Sequence, residues 1–445
     1  MSKKTTIIII TAIVIVAAAL RVPGMFTDFW LDEVWSLNIA KTIHSPLDVV
    51  LSSSARIDNN HPLHTWYLRA IGDVQQWWIY RLPALACGIG AVIVAAHTMW
   101  RRSAIEAIAV ALLVGLSFPL VFYSSEARGY APAVFFALVA FDAMLRYVER
   151  PRWSGAIVFS VACVLGFLAH LTFVHFYLAA LYWTVLRARR TKLPLMQQLT
   201  WWARLNAVPL IFVIVLFRVF VRDMTIGGAS ETDPMQVLIR TLSIALGGFD
   251  FGIGAIICAT ITVALFIGAL IKLIRLRDDL WFFYLLAVVV APGFLLIYNL
   301  VLSARPQPLM PRYFLVAIAM LLPAISHLAS SVDRRVVLAA LMVIFAANVA
   351  RTVRFLRVGR DGSVRAIEQL LRESPGPVIT VSTESTFWAR PVIDFYQSRI
   401  VPDGRRIELR DVATPSDWKL TMTPSRELSG FVWQLQRTTD PTTQP

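Results

Sequence analysis

The chain has 445 residues, of which 57% are apolar and only 16% charged, with a mean hydropathy of +0.64. Soluble domains carry about a quarter charged residues, so this composition excludes an ordinary soluble enzyme, a disordered chain and a sizeable cytoplasmic cofactor domain. The net charge of +14 would suit nucleic acid, but positions 354–445 are nearly balanced, with 13 Lys and Arg against 11 Asp and Glu; the excess lies with the apolar stretches, so the partner is the bilayer and not nucleic acid.

Lys3 and Lys4 precede an apolar run over 6–20, which reads as a first span rather than a cleaved leader ending near Ala17–Ala19. Further runs cover 77–99, 104–123, 130–148, 154–169, 171–186, 204–221, 250–274, 280–302, 312–329 and 335–353. Each approaches the ~20 residues that cross a bilayer as a helix. The expected fold is therefore all-α and polytopic with about eleven transmembrane helices, the long run 154–186 being divided at His170. Arg101–Arg102, Arg150 with Arg152, the cluster 187–192, Arg275 with Arg277, and Arg334–Arg335 fall in alternate connections with Lys3–Lys4. They mark the cytoplasmic face, which leaves 26–76, 124–129, 222–246, 303–311 and the C-terminal segment outside. Cys87, Cys163 and Cys258 all lie in apolar runs, with no disulfide framework and no zinc spacing.

Two domains are expected: a membrane domain over 1–353 and a small extracytoplasmic α/β domain over 354–445. In the second, Ser363 caps a helix to Glu373, and 377–382, 407–412 and 430–436 read as strands. A further helix over 385–397 is expected to break near Pro391, and 441–445 to fray.

The unusual residues gather in the outer segments. Asp32 and Glu33 lie between Trp30 and Trp35 just beyond the first span. Carboxylates at that depth are costly unless paired or functional; an interfacial helix cap is the plainer alternative. Asn60, His61, Pro62 and His64 follow, with Asn60 able to cap and Pro62 to open a helix. His61 and His64 would share a face; they suit hydrogen bonding to phosphate or sugar better than a metal pair completed by Asp32 or Asp58. Glu126, Arg128 and Tyr130 stand between the third and fourth spans. Arg305 and Arg312, with Tyr313, lie on the outer side against the charge rule. Arginine forks match phosphate oxygens, and the alternative is snorkelling to headgroups.

The order Leu31-Asp32-Glu33-Val34-Trp35, Asn60-His61-Pro62-Leu63, Ser125-Glu126-Ala127-Arg128-Gly129-Tyr130 and Pro311-Arg312-Tyr313 resembles the GT-C glycosyltransferases, in the branch of the protein O-mannosyltransferases and lipid A aminoarabinose transferases. The resemblance covers roughly 1–330. It implies transfer of a sugar from a polyprenyl-phosphate donor, outside the cytoplasmic membrane, to an envelope glycan, glycolipid or protein. It also implies that the first acidic residue of the pair, Asp32, is the catalytic base, with Glu33 shaping the loop or pairing with an arginine. Some aminoarabinose transferases carry lysine where His61 stands, a departure that bears on the sugar.

The chemistry fits these residues. A sugar phosphate has a good leaving group, so one carboxylate must take the acceptor proton while cations hold the phosphate. Arg128, Arg305 and Arg312 are the candidates for that. A single displacement implies inversion. No cofactor is required, and a divalent cation at the site is the less favoured option. A lipid-linked sugar flippase, or a glycan polymerase of similar topology, is the competing reading; the one-sided placement of the polar residues and the lack of a repeat favour the enzyme.

Overall fold

The structure is a computed structural model that describes residues 2–52, 57, 59–224, 233–297, 301, 309–424 and 431–438. The membrane part is built of α1 (Lys3–Arg21), α2 (Leu31–Lys41), α3 (Asp48–Leu51), α4 (Pro62–Ile71), α5 (Leu82–Trp100), α6 (Ala104–Leu116), α7 (Phe118–Tyr123), α8 (Tyr130–Glu149) and α9 (Trp153–Ala169). It continues through α10 (Val174–Arg190), α11 (Leu195–Leu216), α12 (Pro234–Ala245), α13 (Gly252–Arg275), α14 (Leu280–Leu285), α15 (Ala291–Ile297), α16 (Leu315–Ser326) and α17 (Arg334–Val358). Among the described residues nine helical segments are long and apolar enough to cross a membrane, and α6 and α9 are shorter apolar helices beside them. The chain is thus an all-α polytopic membrane protein that carries a small C-terminal sheet.

Local chemistry explains the departures from the expected spans. The run 104–123 is two helices, because α6 ends at Leu116 and Pro119 opens α7. The carbonyls freed at that break have a cationic partner. Arg21, buried at the end of α1, donates to Gly115 O (2.6 Å) and Val114 O (3.2 Å), while Asn348 Oδ1 accepts from Phe118 N (2.7 Å). The division at His170 holds: α9 stops at Ala169 and α10 begins at Val174. The outer stretches are not plain loops. α2 and α4 form within 26–76, and α12, read from sequence as part of a loop, follows an Asp233 cap and Pro234 at its first turn.

α17 ends at Gly359, whose backbone takes φ 86°. Beyond it are α18 (Ser363–Glu373), β1 (Val378–Ser382), α19 (Thr386–Gln397), β2 (Arg406–Arg410), β3 (Trp418–Pro424) and β4 (Phe431–Arg437). The sheet order is β2-β1-β3-β4, with β1 parallel to both neighbours and β3–β4 antiparallel. β3, which the sequence reading passed over, alternates Trp418, Leu420 and Met422 with Lys419 and Thr421. α19 runs through Pro391 without breaking. The one bond proline forfeits there would use the carbonyl of Phe387, an exposed residue near the helix start.

One apolar cluster joins this domain to the outer loops: Phe29, Leu31, Val34 and Leu37 pack with Ile367, Val392, Phe395 and Tyr396. Phe29 stacks on Phe395 with centroids 4.7 Å apart, and its N–H donates to Tyr396 Oη at 2.6 Å. Asp28 completes the joint, because its carboxylate accepts from the backbone N–H groups of Arg360 (2.9 Å), Gly362 (3.2 Å) and Val364 (3.2 Å). Asp28→Ala leaves these three donors without a partner and should cost on the order of 3 kcal/mol at this joint. Limited proteolysis should then release the C-terminal domain near Val358 faster than from wild type; unchanged cleavage would show that the apolar cluster alone holds it.

Candidate active site

Asp32 and Glu33 are adjacent in the first turn of α2, where the helix dipole favours acidic groups. Their side chains serve different neighbours. Glu33 is fully buried against the equally buried Arg81, with Oε1 accepting from Nε at 2.7 Å and Oε2 from Nη2 at 2.5 Å. Its Oε1 also accepts from Ala127 N at 2.6 Å. Arg81 spends its remaining donors on the turn before α2, reaching Met25 O (2.8 Å), Thr27 O (2.9 Å) and Asp28 O (2.5 Å). Glu33 is thus held on both oxygens by buried donors.

Asp32 faces the other way. Its Oδ2 accepts from Arg128 Nη1 at 2.5 Å and Arg312 Nη1 at 2.6 Å. Burial raises the affinity of this carboxyl for a proton, but the two guanidiniums outweigh it and hold it below the usual carboxylate range. The sequence separations, 96 and 280 residues, show how three distant segments converge on one carboxylate.

Around this triad are neutral, hydrogen-bonding groups. Arg128 Nε approaches His61 Nε2 at 3.1 Å, and Ser36 Oγ, one turn beyond Asp32, lies 3.3 Å from the same nitrogen. His61 precedes Pro62 at the start of α4, and His64 lies edge-on to it at 6.2 Å. Asn60 holds the connection after α9, its carbonyl accepting from Leu171 N at 3.2 Å. Burial first, and then the charge of Arg128, push His61 well below its ordinary range and His64 down to about 3, so both are neutral at physiological pH. Tyr130 opens α8 with its ring 5.6 Å from the Arg128 guanidinium and 4.4 Å from His170. Tyr313 lies under Arg312 at 5.7 Å. Several buried polar atoms here have no hydrogen-bond partner among the described residues: His61 Nδ1, His64 Nε2, Tyr130 Oη, His170 Nε2 and Arg312 Nε. Unsatisfied groups of this kind cost about 1–3 kcal/mol each, and a polar ligand would relieve that cost.

Glu126 stands apart from Asp32. It is buried with Arg360 Nη1 3.7 Å from Oε2, while Arg360 donates to Ser125 O at 2.6 Å. Burial pushes its carboxyl up to about 7; Arg360 pulls down, and Glu33 pushes up again. Gly129 lets this turn close on α9 and α4, because a Cβ there would fall 1.7 Å from Ala169 O and 2.8 Å from His61 Cβ.

Of the residues expected from sequence, Asp32, Arg128, Arg312, His61, His64, Tyr130 and Tyr313 converge, Asn60 supports them, and Glu33 and Glu126 face Arg81 and Arg360. Arg305, and Asp58 as a third metal ligand, lie outside the described residues. Among the described residues no three His, Cys, Asp or Glu side chains are grouped to hold a metal ion. Sequence reading missed Arg81, Arg360 and Ser36. It used His170 only to divide two spans, although a lone histidine in so apolar a run was itself a signal.

The fold is of the GT-C type. The chain is similar to a crystal structure of ArnT from Cupriavidus metallidurans bound to undecaprenyl phosphate, with a TM-score of 0.54 and 12% identity over 93% of this chain and 87% of that one. No family model matches the sequence, and no curated protein sequence does.

Two stability predictions follow from the carboxylates. Glu33→Gln strands the buried Arg81 charge and should cost about 3–5 kcal/mol, seen as a large fall in melting temperature in detergent, whereas Asp32→Asn, at a carboxylate that keeps 19% exposure, should cost less. Glu126 has the opposite character. Its folded-state value of about 7 lies above its ordinary 4.5, so the folded chain keeps a proton that the unfolded chain releases between these values. Its contribution therefore becomes less favourable as pH rises from about 4.5 to about 7 and is constant above. Relative to Glu126→Gln, wild type should lose up to about 3 kcal/mol across that window; a pH-independent difference would overturn the assignment.

Proposed function

We propose that this protein is a glycosyltransferase that moves a sugar from a polyprenyl-phosphate carrier to an acceptor hydroxyl on the outer face of the cytoplasmic membrane, with inversion at C1. The observation that carries the reading is Asp32 held between Arg128 and Arg312, ringed by buried polar atoms that lack partners. The ArnT whose fold it shares was crystallised with undecaprenyl phosphate, which supports a polyprenyl-phosphate donor. The acceptor is an envelope glycan, glycolipid or protein.

A carboxylate bound to two guanidiniums is a weak base. In this reading the donor removes that restraint. Its phosphate draws Arg128 and Arg312 onto its own oxygens, and the carboxyl of Asp32, still buried, rises toward the range a general base needs. The acceptor oxygen then attacks C1 and passes its proton to Asp32. The C1–O bond to phosphate breaks, and the negative charge on the departing lipid phosphate is met by the same two arginines. His61, His64 and Tyr130, neutral and buried, hydrogen-bond the sugar hydroxyls. The chemistry is complete without a metal, so transfer is expected to survive chelation.

Asp32→Asn should lower turnover by about 10²–10⁴ and bind polyprenyl phosphate as tightly as wild type or tighter, since both arginines are then free for it. Arg312→Ala should weaken donor binding by about 2–5 kcal/mol. The acidic limb of kcat, which reports the loaded enzyme, should lie at higher pH than that of kcat/KM, which reports the free enzyme. Wild-type transfer by Asp32→Asn would remove Asp32 as base, and a wild-type protein that moves the lipid-linked sugar across the bilayer but transfers none would favour a flippase. The outer placement is tested separately: a reporter after Arg190 should read cytoplasmic and one at the C-terminus external.

A further inference from the structure

Toward the C-terminal end of α8, a 20-residue helix ~30 Å long that begins beside Arg128, the arginine-rich end of the bundle contains a second concavity. It lies between α5, α8 and α9 and has a volume of about 930 Å³. Its floor is apolar, with Ile93 and Val94 from α5, Val139 from α8 and Val158 from α9. Ile93 and Val158 are about half exposed and continue the apolar outer surface of these helices. The rim is cationic, with Arg101, Arg146, Arg150 and Arg152.

Only two carboxylates line this groove, and both are already paired. Asp142 accepts from Arg146 Nε at 2.7 Å, and Glu149 is engaged by Arg101. His97 is occupied by Arg146 at 2.5 Å. Among the described residues the guanidiniums of Arg150 and Arg152 have no side-chain partner. Other arginines at this end are neutralised differently: Arg187 and Arg190 share Asp279 at 2.8 and 2.7 Å, and Arg102 pairs with Asp278. The groove therefore combines two uncompensated positive charges with an apolar floor that opens onto the bilayer. A soluble anion would need only the charges. A lipid with an anionic headgroup uses both, its phosphate at the rim and its chains along Val139 and Val158. Basic pockets between transmembrane helices on the cytoplasmic side are suited to such headgroups.

We propose that this groove binds an anionic phospholipid of the cytoplasmic leaflet, with Arg150 and Arg152 holding its headgroup. The site is independent of the transferase reading, and neither residue belongs to the machinery around Asp32.

The test uses the full-length protein in detergent, titrated with phosphatidylglycerol or with phosphatidylcholine of the same chains, and read by native mass spectrometry. Wild type should retain phosphatidylglycerol preferentially. The double variant Arg150→Gln/Arg152→Gln should lose that preference by about fivefold per charge removed. A second double variant, Arg334→Gln/Arg335→Gln, removes the same charge from the exposed start of α17, away from the groove, and should keep it. An unchanged preference in the first variant, or an equal loss in both, would overturn the site. Displacement of the bound lipid by millimolar inorganic phosphate alone would also overturn it, because it would show that only the charge is read.

Discussion

The half of the molecule that holds Asp32 depends on one buried ion pair. Arg81 and Glu33 are both fully buried, and each satisfies several other groups. Arg81 gathers four carbonyls of the turn that leaves α1, and Glu33 fixes Ala127 in the turn between α7 and α8. A pair in such surroundings is weak evidence for net stability, since desolvation offsets much of the attraction. Its effect is geometric. It ties the start of α2, the foot of α5 and the 124–129 turn into one body, and the neighbours of those residues, Asp32 and Arg128, are thereby brought to 2.5 Å.

The same arrangement separates two adjacent carboxylates by environment. Successive helical residues point about 100° apart, so rigid fixation of Glu33 dictates where Asp32 faces. Glu33 has one arginine, backbone donors and no access to solvent. Asp32 has two arginines and retains 19% side-chain exposure, which makes it the only one of the pair a ligand can reach. The arginines must keep unsatisfied capacity if they are to accept a phosphate, and Arg312 Nε is buried without a partner.

Much of this was legible in the sequence because the bilayer forces a simple pattern. Apolar run lengths gave the spans, and the break at His170 stood out as a polar residue in an apolar stretch. The outer motifs were legible as polar residues at costly depth. What stayed hidden was partnership. Nothing local to Arg81 or Arg360 distinguishes a buried anchor from an interfacial cation, because their partners lie 48 and 234 residues away. For the same reason the arginines that Glu33 and Glu126 face could not be named from the sequence. β3 was missed for a different cause: its alternation is clean, but it follows a proline-containing loop and its pairing partners come from both sides of it in the chain.

The C-terminal domain acquires its place from this logic. A carboxylate on a short helix has little to hold it, since α2 has only 11 residues and isolated helices of that length are marginal. Arg81 clamps the polar side of its first turn. Phe29, Leu31, Val34 and Leu37 bury the apolar side in the cluster built by α18, α19 and the sheet. Asp28 and Arg360 carry the joint inward, because the Arg360 backbone binds Asp28 while its side chain reaches Ser125 and faces Glu126. The domain is therefore part of what fixes Asp32. Loosening it would move the carboxylate relative to Arg128 and Arg312, and misplacement of a reacting group by about 1 Å can cost on the order of 10²-fold in rate.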